Sequence, residues 1–590
     1  MGAMIQRLVC VLVLAFPAAA QEANPRMEAS YVVEVTNPKS GKIKVTLALS
    51  HNTTDEIQVA IPAWAPGAYR IVNYCKQVGN LGATGKGGER LEVSPVDDQT
   101  WKIRTNKAAT FRVTYDLTLD RGRLDKDHCF LAGPDTYLYV VGSKGIPCSV
   151  RFRLPEGWRV GTGLDRKGDF YRARDYDTFI DCPTELGRFD LLEFQADKTT
   201  YELVIHAKGP LDSARLVEMC GKIVREQNRM FGGPPFKRYL FLYHFRDGVG
   251  GYGLEHLNST DISMAYPAIR AQPLLAASVT SHEYFHLWNV KRIRPFELGP
   301  FDYAQPVRSK ALWMCEGVTS YFGDRALARC GIWTEQVYLD HLALAMETLQ
   351  NNGDRKVTSI EKASQMVWDR KDWPRVDYYN KGELLGLLID LKIRTRTGGE
   401  KGLDDVMRHL YEVYVEKPSR EGKGPIGVGY PEEAILKALN HVSGEDWSGF
   451  VGKHISGLEE LPYAEILGPV GLESAFIVSQ MVDLGIDLRG TMVLNVPAGS
   501  AGEKAGLQPS DRIGAINGVK VTQATLRDEL EKLKSGDEAL LKILRATGEV
   551  EAKVVVGIRE RTACKLRRVE QPSYIQKRIL DGWLGQPLDD

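Results

Sequence analysis

Net charge is missing from this chain: its 76 Lys and Arg are matched by 76 Asp and Glu over 590 residues. A polyanion such as nucleic acid, or an anionic membrane surface, therefore meets no basic excess. The nine cysteines contain no C-x-x-C pair, which argues against a thiolate zinc site. A G-x-S-x-G turn and a P-loop are absent too, so a serine hydrolase elbow and a nucleotide cradle find no support. No apolar run beyond the N-terminus is long enough to span a bilayer, and there is no internal repeat or low-complexity tract. What remains is the composition of a soluble globular protein, too long for a single core, with about three or four domains expected.

The N-terminus reads as a targeting segment. Arg7 precedes an apolar run over residues 8–16, and Ala18-Ala19-Ala20 offers a small-residue cleavage site before Gln21. Export to a bacterial periplasm or the extracellular space is the expectation. Cys10 leaves with that segment, and eight cysteines remain. An oxidising compartment permits disulfides, and Cys129 and Cys148 flank a possible hairpin and can pair. Buried free thiols fit the pattern equally well.

The organisation expected is multidomain α+β. Residues 28–195 are β-rich, with alternating or β-branched runs at 31–35, 42–49, 57–61, 111–119 and 137–141, and read as an antiparallel β-sandwich. Within it, Pro62-Ala63-Trp64-Ala65-Pro66-Gly67-Ala68-Tyr69 reads as a rigid packed turn rather than as chemistry. Residues 198–460 begin with strands at 201–207 and 239–244 and then turn helical, with helices around 281–286, at 310–330, at 334–350 and from 379 through 391. Residues 465–558 form a separate unit. Its run Ala498-Gly499-Ser500-Ala501-Gly502 through Asn517-Gly518 resembles a bacterial-type PDZ domain. By that resemblance the backbone amides of Leu484, Gly485 and Ile486 take a peptide carboxylate, and a helix over 525–534 flanks the groove. The tail, 565–590, is charged, with Ile575, Ile579, Leu580 and Trp583 at the spacing of a short docked helix.

The chemistry centres on His282-Glu283-Tyr284-Phe285-His286, an H-E-x-x-H. Residues four apart on a helix lie on one face, so His282 and His286 can bind one metal ion together. Glu283 falls about 100° further round, placed to hold a water rather than to ligate. This is the arrangement of a zinc hydrolase. Such a site needs a third ligand from another element. Glu316, in the apolar helical stretch Trp313-Met314-Cys315-Glu316-Gly317, is costly there unless paired or metal-bound, and the glycine beside it permits close packing.

With these residues in place the chain resembles the glycyl aminopeptidase family, zinc metallopeptidases with a thermolysin-like catalytic domain and a PDZ domain. The carrying residues are His282 through His286, the Leu287-Trp288-Asn289-Val290-Lys291-Arg292-Ile293-Arg294-Pro295 that follows, and Glu316-Gly317; the Pro62 to Tyr69 loop is similar to the family's N-terminal domain. Two further stretches resemble zinc aminopeptidases at large. Gly253-Leu254-Glu255-His256 looks like the edge strand beside the substrate, which gives Gly253 a place along the peptide and Glu255 the free α-ammonium. Tyr378-Tyr379-Asn380-Lys381-Gly382 looks like the motif that makes Tyr379 a donor to the tetrahedral oxyanion. His256 is left to packing or hydrogen bonding. Lys291, Arg292 and Arg294 read first as ion pairs to the scaffold and second as contacts to the peptide's far end.

The reading is therefore an exported, Zn²⁺-dependent aminopeptidase. It holds the metal by His282, His286 and Glu316, acts on peptides with a free N-terminus, and by family resemblance prefers Gly or Ala there. A C-terminal peptide ligand is expected for the PDZ domain. A zinc endopeptidase and an inactive PDZ-bearing scaffold are the competing readings.

Overall fold

The computed structural model describes residues 27–120, 122–369, 376–424, 426–545 and 547–585, so the expected targeting segment lies outside the described residues. The chain divides into two compact units. One comprises residues up to 335, 358–461 and 578 onward; the other comprises 336–357 and 462–577.

In the first unit, the β-rich region is a sheet of eleven strands that folds over one core. Strands Glu28–Glu34, Lys42–Ser50 and Thr110–Thr118 bury every second residue (Tyr31, Val33, Val45, Leu47, Val113, Tyr115). These share that core with Ile57, Val59 and Ile103 from Glu56–Ala60 and Thr100–Arg104. The period-2 pattern read from the sequence is thus a sandwich, with one correction. Glu28–Glu34 pairs in parallel with Cys148–Arg153, so the sheet is not purely antiparallel. Cys129 and Cys148 are buried free thiols, as are Cys182, Cys220 and Cys315, and no disulfide forms among the described residues.

A smaller sheet of strands Arg159–Thr162, Thr184–Gly187 and His128–Leu131 contributes Phe130 to a cluster with Phe189, Val204, Leu240 and Leu242. The last three belong to a five-stranded mixed sheet. Its order is Asp190–Ala196, Thr199–Ala207, Arg238–Arg246, Ser259–Ala265 and, at the edge, Tyr252–Glu255. The residue pattern shows two of these five strands, and the resemblance to zinc aminopeptidases adds the edge strand at 253–256. The shorter three lack a clear alternation of their own and exist by pairing with neighbours.

Helix Ser213–Phe231, which the sequence reading does not single out, precedes the expected zinc-motif helix Ala277–Phe285. The helix expected over 310–330 is broken: Trp313–Gly317 is a π-turn, and the α-helix runs Val318–Arg329. Helix Tyr378–Arg396 closes the group. Tyr574–Leu584 buries Ile579, Leu580 and Trp583, and Trp583 Nε1 donates to Tyr321 at 2.8 Å, so the expected terminal helix is present.

The second unit corrects two boundaries. Residues 336–357 were assigned with the catalytic region, yet they pack with 462–577. Glu347 pairs with Arg561 at 2.8 Å, and Asn351 exchanges two hydrogen bonds with Thr562. The PDZ-like unit also runs past 558. Strand Gly557–Arg568 pairs along its whole length with Leu472–Asp483, so the start of the expected tail is a strand. Inside the unit, Leu484 and Ile486 are buried in the core and Gly485 has φ +67°. The Gly485 N–H already bonds Asp483 Oδ1 at 2.9 Å, which engages one of the amides expected to receive a peptide carboxylate. Asp487–Arg489 is the edge strand beside this turn. Among the described residues no helix is long and apolar enough to cross a membrane.

Candidate active site

Two elements bring the metal-binding trio together. Ala277–Phe285 carries His282, with His286 at its C-cap still in helical conformation. Their Nε2 atoms lie 3.0 Å apart, as the i, i+4 spacing requires. Glu316 comes from the π-turn, and its Oε2 stands 3.5 Å from His282 Nε2 and 3.3 Å from His286 Nε2. π-turns concentrate at functional sites because the inserted residue re-aims a side chain.

The outer nitrogen of each imidazole is tied down. His286 Nδ1 donates to the Asn289 carbonyl at 3.0 Å, and His282 Nδ1 faces Ser320 Oγ at 3.2 Å. This leaves both Nε2 lone pairs pointed at one place, the usual outer support of a metal site. Asn289 in turn donates to the Met314 and Cys315 carbonyls and to Thr319 Oγ1, stitching the end of the zinc-motif helix to the π-turn.

Glycines decide the approach of the backbones. A Cβ on Gly317 would stand 2.4 Å from Gly382 Cα, and one on Gly382 would stand 2.6 Å from the Trp313 carbonyl. Glu316-Gly317 and Lys381-Gly382 are therefore the two halves of one backbone contact, which sets Glu316 and Tyr379 on the same cleft. The Tyr379 ring lies 5.9 Å from that of His282. Burial pushes the Tyr379 phenol far above its ordinary pKa, and Glu316 pushes the same way, so it stays a hydrogen-bond donor.

Glu283 packs under the edge strand. A Cβ on Gly253 would fall 2.4 Å from Glu283 Cγ, so any side chain there would displace the Glu283 carboxylate. Glu283 Oε2 is buried without a hydrogen-bond partner, an open acceptor aimed into the site. Burial raises its pKa well above the usual carboxylate range; His286 opposes the shift, and Glu255 and Glu316 add to it. Glu255, also buried, is raised chiefly by burial, with His286 and Lys291 opposing. Oxygen or nitrogen atoms of Glu255, Glu283 and His286 lie within 4.8 Å of one another. The cleft these residues line holds about 380 Å³.

The loop Pro62 to Tyr69 requires correction. Sequence reasoning made it a packed turn, but Tyr69 OH donates to Glu316 Oε1 at 2.9 Å. A Cβ on Gly67 would meet Glu255 Oε2 at 2.5 Å. Trp64 Nε1 anchors the loop on the Asp302 carbonyl at 3.0 Å. The only local signal was the loop's aromatic and proline content, which packing explains equally well. His256 takes the hydrogen-bonding role, between Asp181 and Asp261 at 3.2 Å each. Lys291 pairs with Asp181 at 2.7 Å, while Arg292 and Arg294 donate to backbone carbonyls, so all three cations serve the scaffold.

The donor set fits a catalytic metal: two imidazole nitrogens and one carboxylate oxygen converge within 3.5 Å, with an unsatisfied carboxylate oxygen beside them.

Fold and site together define a metallo-aminopeptidase. Family profiles match the M61 peptidase N-terminal domain over residues 30–188, the M61 glycyl aminopeptidase domain over 276–385 and a PDZ domain over 468–544. The chain therefore carries an M61 N-terminal domain and an M61 glycyl aminopeptidase domain, with a PDZ domain after them. It is similar to an aminopeptidase N family protein from Idiomarina loihiensis at 26% identity and a TM-score of 0.81, covering 95% of this chain and 100% of that one. An M1 zinc metallopeptidase from Deinococcus radiodurans matches at 14% identity and TM-score 0.44, covering 76% of this chain and 97% of the other. Yeast LTA4 hydrolase with bestatin matches at 14% and 0.44, covering 77% and 73%. Both of the latter are too distant to carry an argument. No curated protein matches the chain.

Proposed function

We propose that this protein is an exported zinc aminopeptidase that releases the N-terminal residue of peptides, preferring small ones such as Gly or Ala. The observation that carries the reading is Glu255: a buried carboxylate on an edge strand, within 4.8 Å of Glu283 and His286, in the cleft that also holds the metal-binding trio. A carboxylate at that place takes up a cation at a set distance from the scissile carbonyl, so the first peptide bond is the one presented.

The ion expected is Zn²⁺, held by His282, His286 and Glu316. When bound, it supplies Lewis-acid polarisation of the carbonyl and lowers the pKa of the attacking water. Glu283 takes the water's proton on its open Oε2 and returns it to the leaving amine, one group serving as base and then as acid. Tyr379 donates its phenolic proton in a hydrogen bond to the developing oxyanion. Glu255 pairs with the α-ammonium, and the edge strand aligns the peptide along Gly253. The Gly67 backbone lies close against the Glu255 carboxylate, which supports small N-terminal residues.

Blocking the ammonium tests this reading. An N-acetylated peptide should lose about 10²-fold or more in kcat/KM against its free form, the cost of leaving a buried charge unpaired. Glu255→Gln should shrink that difference. Equal rates on free and acetylated peptides would establish an endopeptidase instead, and protein that binds no zinc and hydrolyses nothing after zinc is added would be a scaffold.

Tyr69 is proposed to hold Glu316 so that only Oε2 faces the metal. Tyr69→Phe should weaken zinc affinity by about 10- to 100-fold, the usual range for outer-sphere partners, read by competition with a chromogenic chelator. Unchanged affinity would leave Tyr69 a packing residue. Export predicts a mature N-terminus near Gln21, checked by N-terminal sequencing of the periplasmic or secreted protein. The PDZ unit is proposed to take a C-terminal peptide along Asp487–Arg489, beside the Leu484-Gly485-Ile486 turn and helix Leu526–Glu531.

A further inference from the structure

A second cluster of metal-binding side chains stands away from the cleft, where the three-stranded sheet packs on the catalytic sheet. Four strands supply it, two from each layer. His128 and Glu185 lie on the paired strands His128–Leu131 and Thr184–Gly187. His206 and His244 sit directly opposite each other on the parallel strands Thr199–Ala207 and Arg238–Arg246. Side chains two apart on a strand share a face. The faces that bury Phe130, Val204 and Leu242 in the apolar cluster therefore turn polar one pleat on, at His128, His206 and His244.

Glu185 is 0% exposed, and His128 and His244 are buried at its sides. His128 Nδ1 lies 3.0 Å from one carboxylate oxygen and His244 Nε2 lies 3.0 Å from the other. One ligand atom from each of the three falls within a 4.8 Å circle. The catalytic trio has the same composition, two imidazoles and a carboxylate, and similar separations of 3.0 to 3.5 Å. His206 stacks on His128 at 3.9 Å, and Asp125, His128 and His206 form an overlapping trio that reaches solvent through exposed Asp125. That gives an ion a path in.

An ion-binding role accounts for what stability alone does not. Apolar residues continuing the Phe130 face would be as stabilising as a buried ionic group, or more so. Four titratable side chains converging from four strands, at the end of an otherwise apolar contact, are the more expensive choice.

We propose that His128, His244 and Glu185 form a second site for a first-row divalent cation of the Zn²⁺ class, structural in role, which clamps the small sheet to the catalytic sheet. The ion would lie where the two imidazole–carboxylate contacts now run. Buried between two sheets, the site stabilises rather than catalyses.

Metal counting on the full chain tests this. Protein stripped by a chelator, reloaded with excess Zn²⁺ and desalted should carry two equivalents by elemental analysis. The double variant His128→Gln/His244→Gln should carry one and still hydrolyse peptides. The double variant His282→Gln/His286→Gln should also carry one, should be inactive, and should gain thermal stability when Zn²⁺ is added. A single equivalent in the wild-type protein overturns the proposal, as do two equivalents in the His128/His244 variant. Should that variant fail to fold, the His282/His286 variant decides alone: no bound zinc and no thermal shift overturn the site.

Discussion

Glu283→Gln should keep its full complement of zinc and lose about 10³- to 10⁴-fold in kcat, near the upper end for removal of a general base. The side chain is not one of the three converging ligands, so metal affinity is expected to survive its neutralisation. The amide keeps the shape of the carboxylate, so packing beneath Gly253 is preserved. What it lacks is the proton affinity of Oε2, the acceptor that the fold leaves without a partner. A loss of 10³-fold corresponds to about 4 kcal/mol of barrier, since each tenfold is about 1.36 kcal/mol. Elemental analysis and steady-state turnover on the same sample check both halves. Turnover within tenfold of wild type would remove Glu283 from the base role, and loss of zinc would make it a ligand.

Tyr379→Phe should lower kcat by about 10²- to 10³-fold with little change in KM, the signature of a donor whose bond forms in the transition state and not before. Burial and the neighbouring Glu316 keep the phenol protonated, so the donor is present at every working pH. The variant loses one oxygen and no ring, and the tilted ring contact with Tyr378 at 4.9 Å should persist. A rise in KM with kcat intact would instead make Tyr379 a uniform substrate contact. A wild-type rate would pass the donor role to another group.

The residues expected to do the chemistry are brought to one cleft: Glu255, His282, Glu283, His286, Glu316 and Tyr379 all line it. They are legible for three different reasons. His282, Glu283 and His286 share one helix, where local geometry converts spacing into direction. Glu316 was visible because a carboxylate in an apolar stretch has to be compensated. Glu255 and Tyr379 were legible through family resemblance, and the structure supplies the physical content: Gly253 lets Glu283 under the edge strand, and Gly382 meets Gly317 backbone to backbone.

Other features carried no local mark. Tyr69 reads as one more aromatic in a proline-rich loop, and its partner Glu316 is 247 residues away. The polar cluster of His128, Glu185, His206 and His244 is spread over four strands, none of which shows by itself that its neighbours are titratable. The helix Glu335–Gln350 has the periodicity of any amphipathic helix, which states that one face is buried but not against what; its ties to Arg561 and Thr562 place it with the PDZ-like unit. The break at Trp313–Gly317 was hidden because a π-turn keeps helical spacing on either side.

The sequence by itself determined the metal-binding pair and its base, the period-2 strands of the sandwich, and the turn chemistry of the PDZ-like unit, because each is set by dihedral preferences and spacing within one element. The tertiary structure decided which faces meet. It put the N-terminal loop against Glu316 and Glu255, aligned Glu316 with Tyr379 through a contact between two glycines, and gathered three histidines around Glu185. These depend on close packing between distant segments, where removal of a single Cβ or the burial of one charge sets the distance, and no periodicity along the chain encodes that.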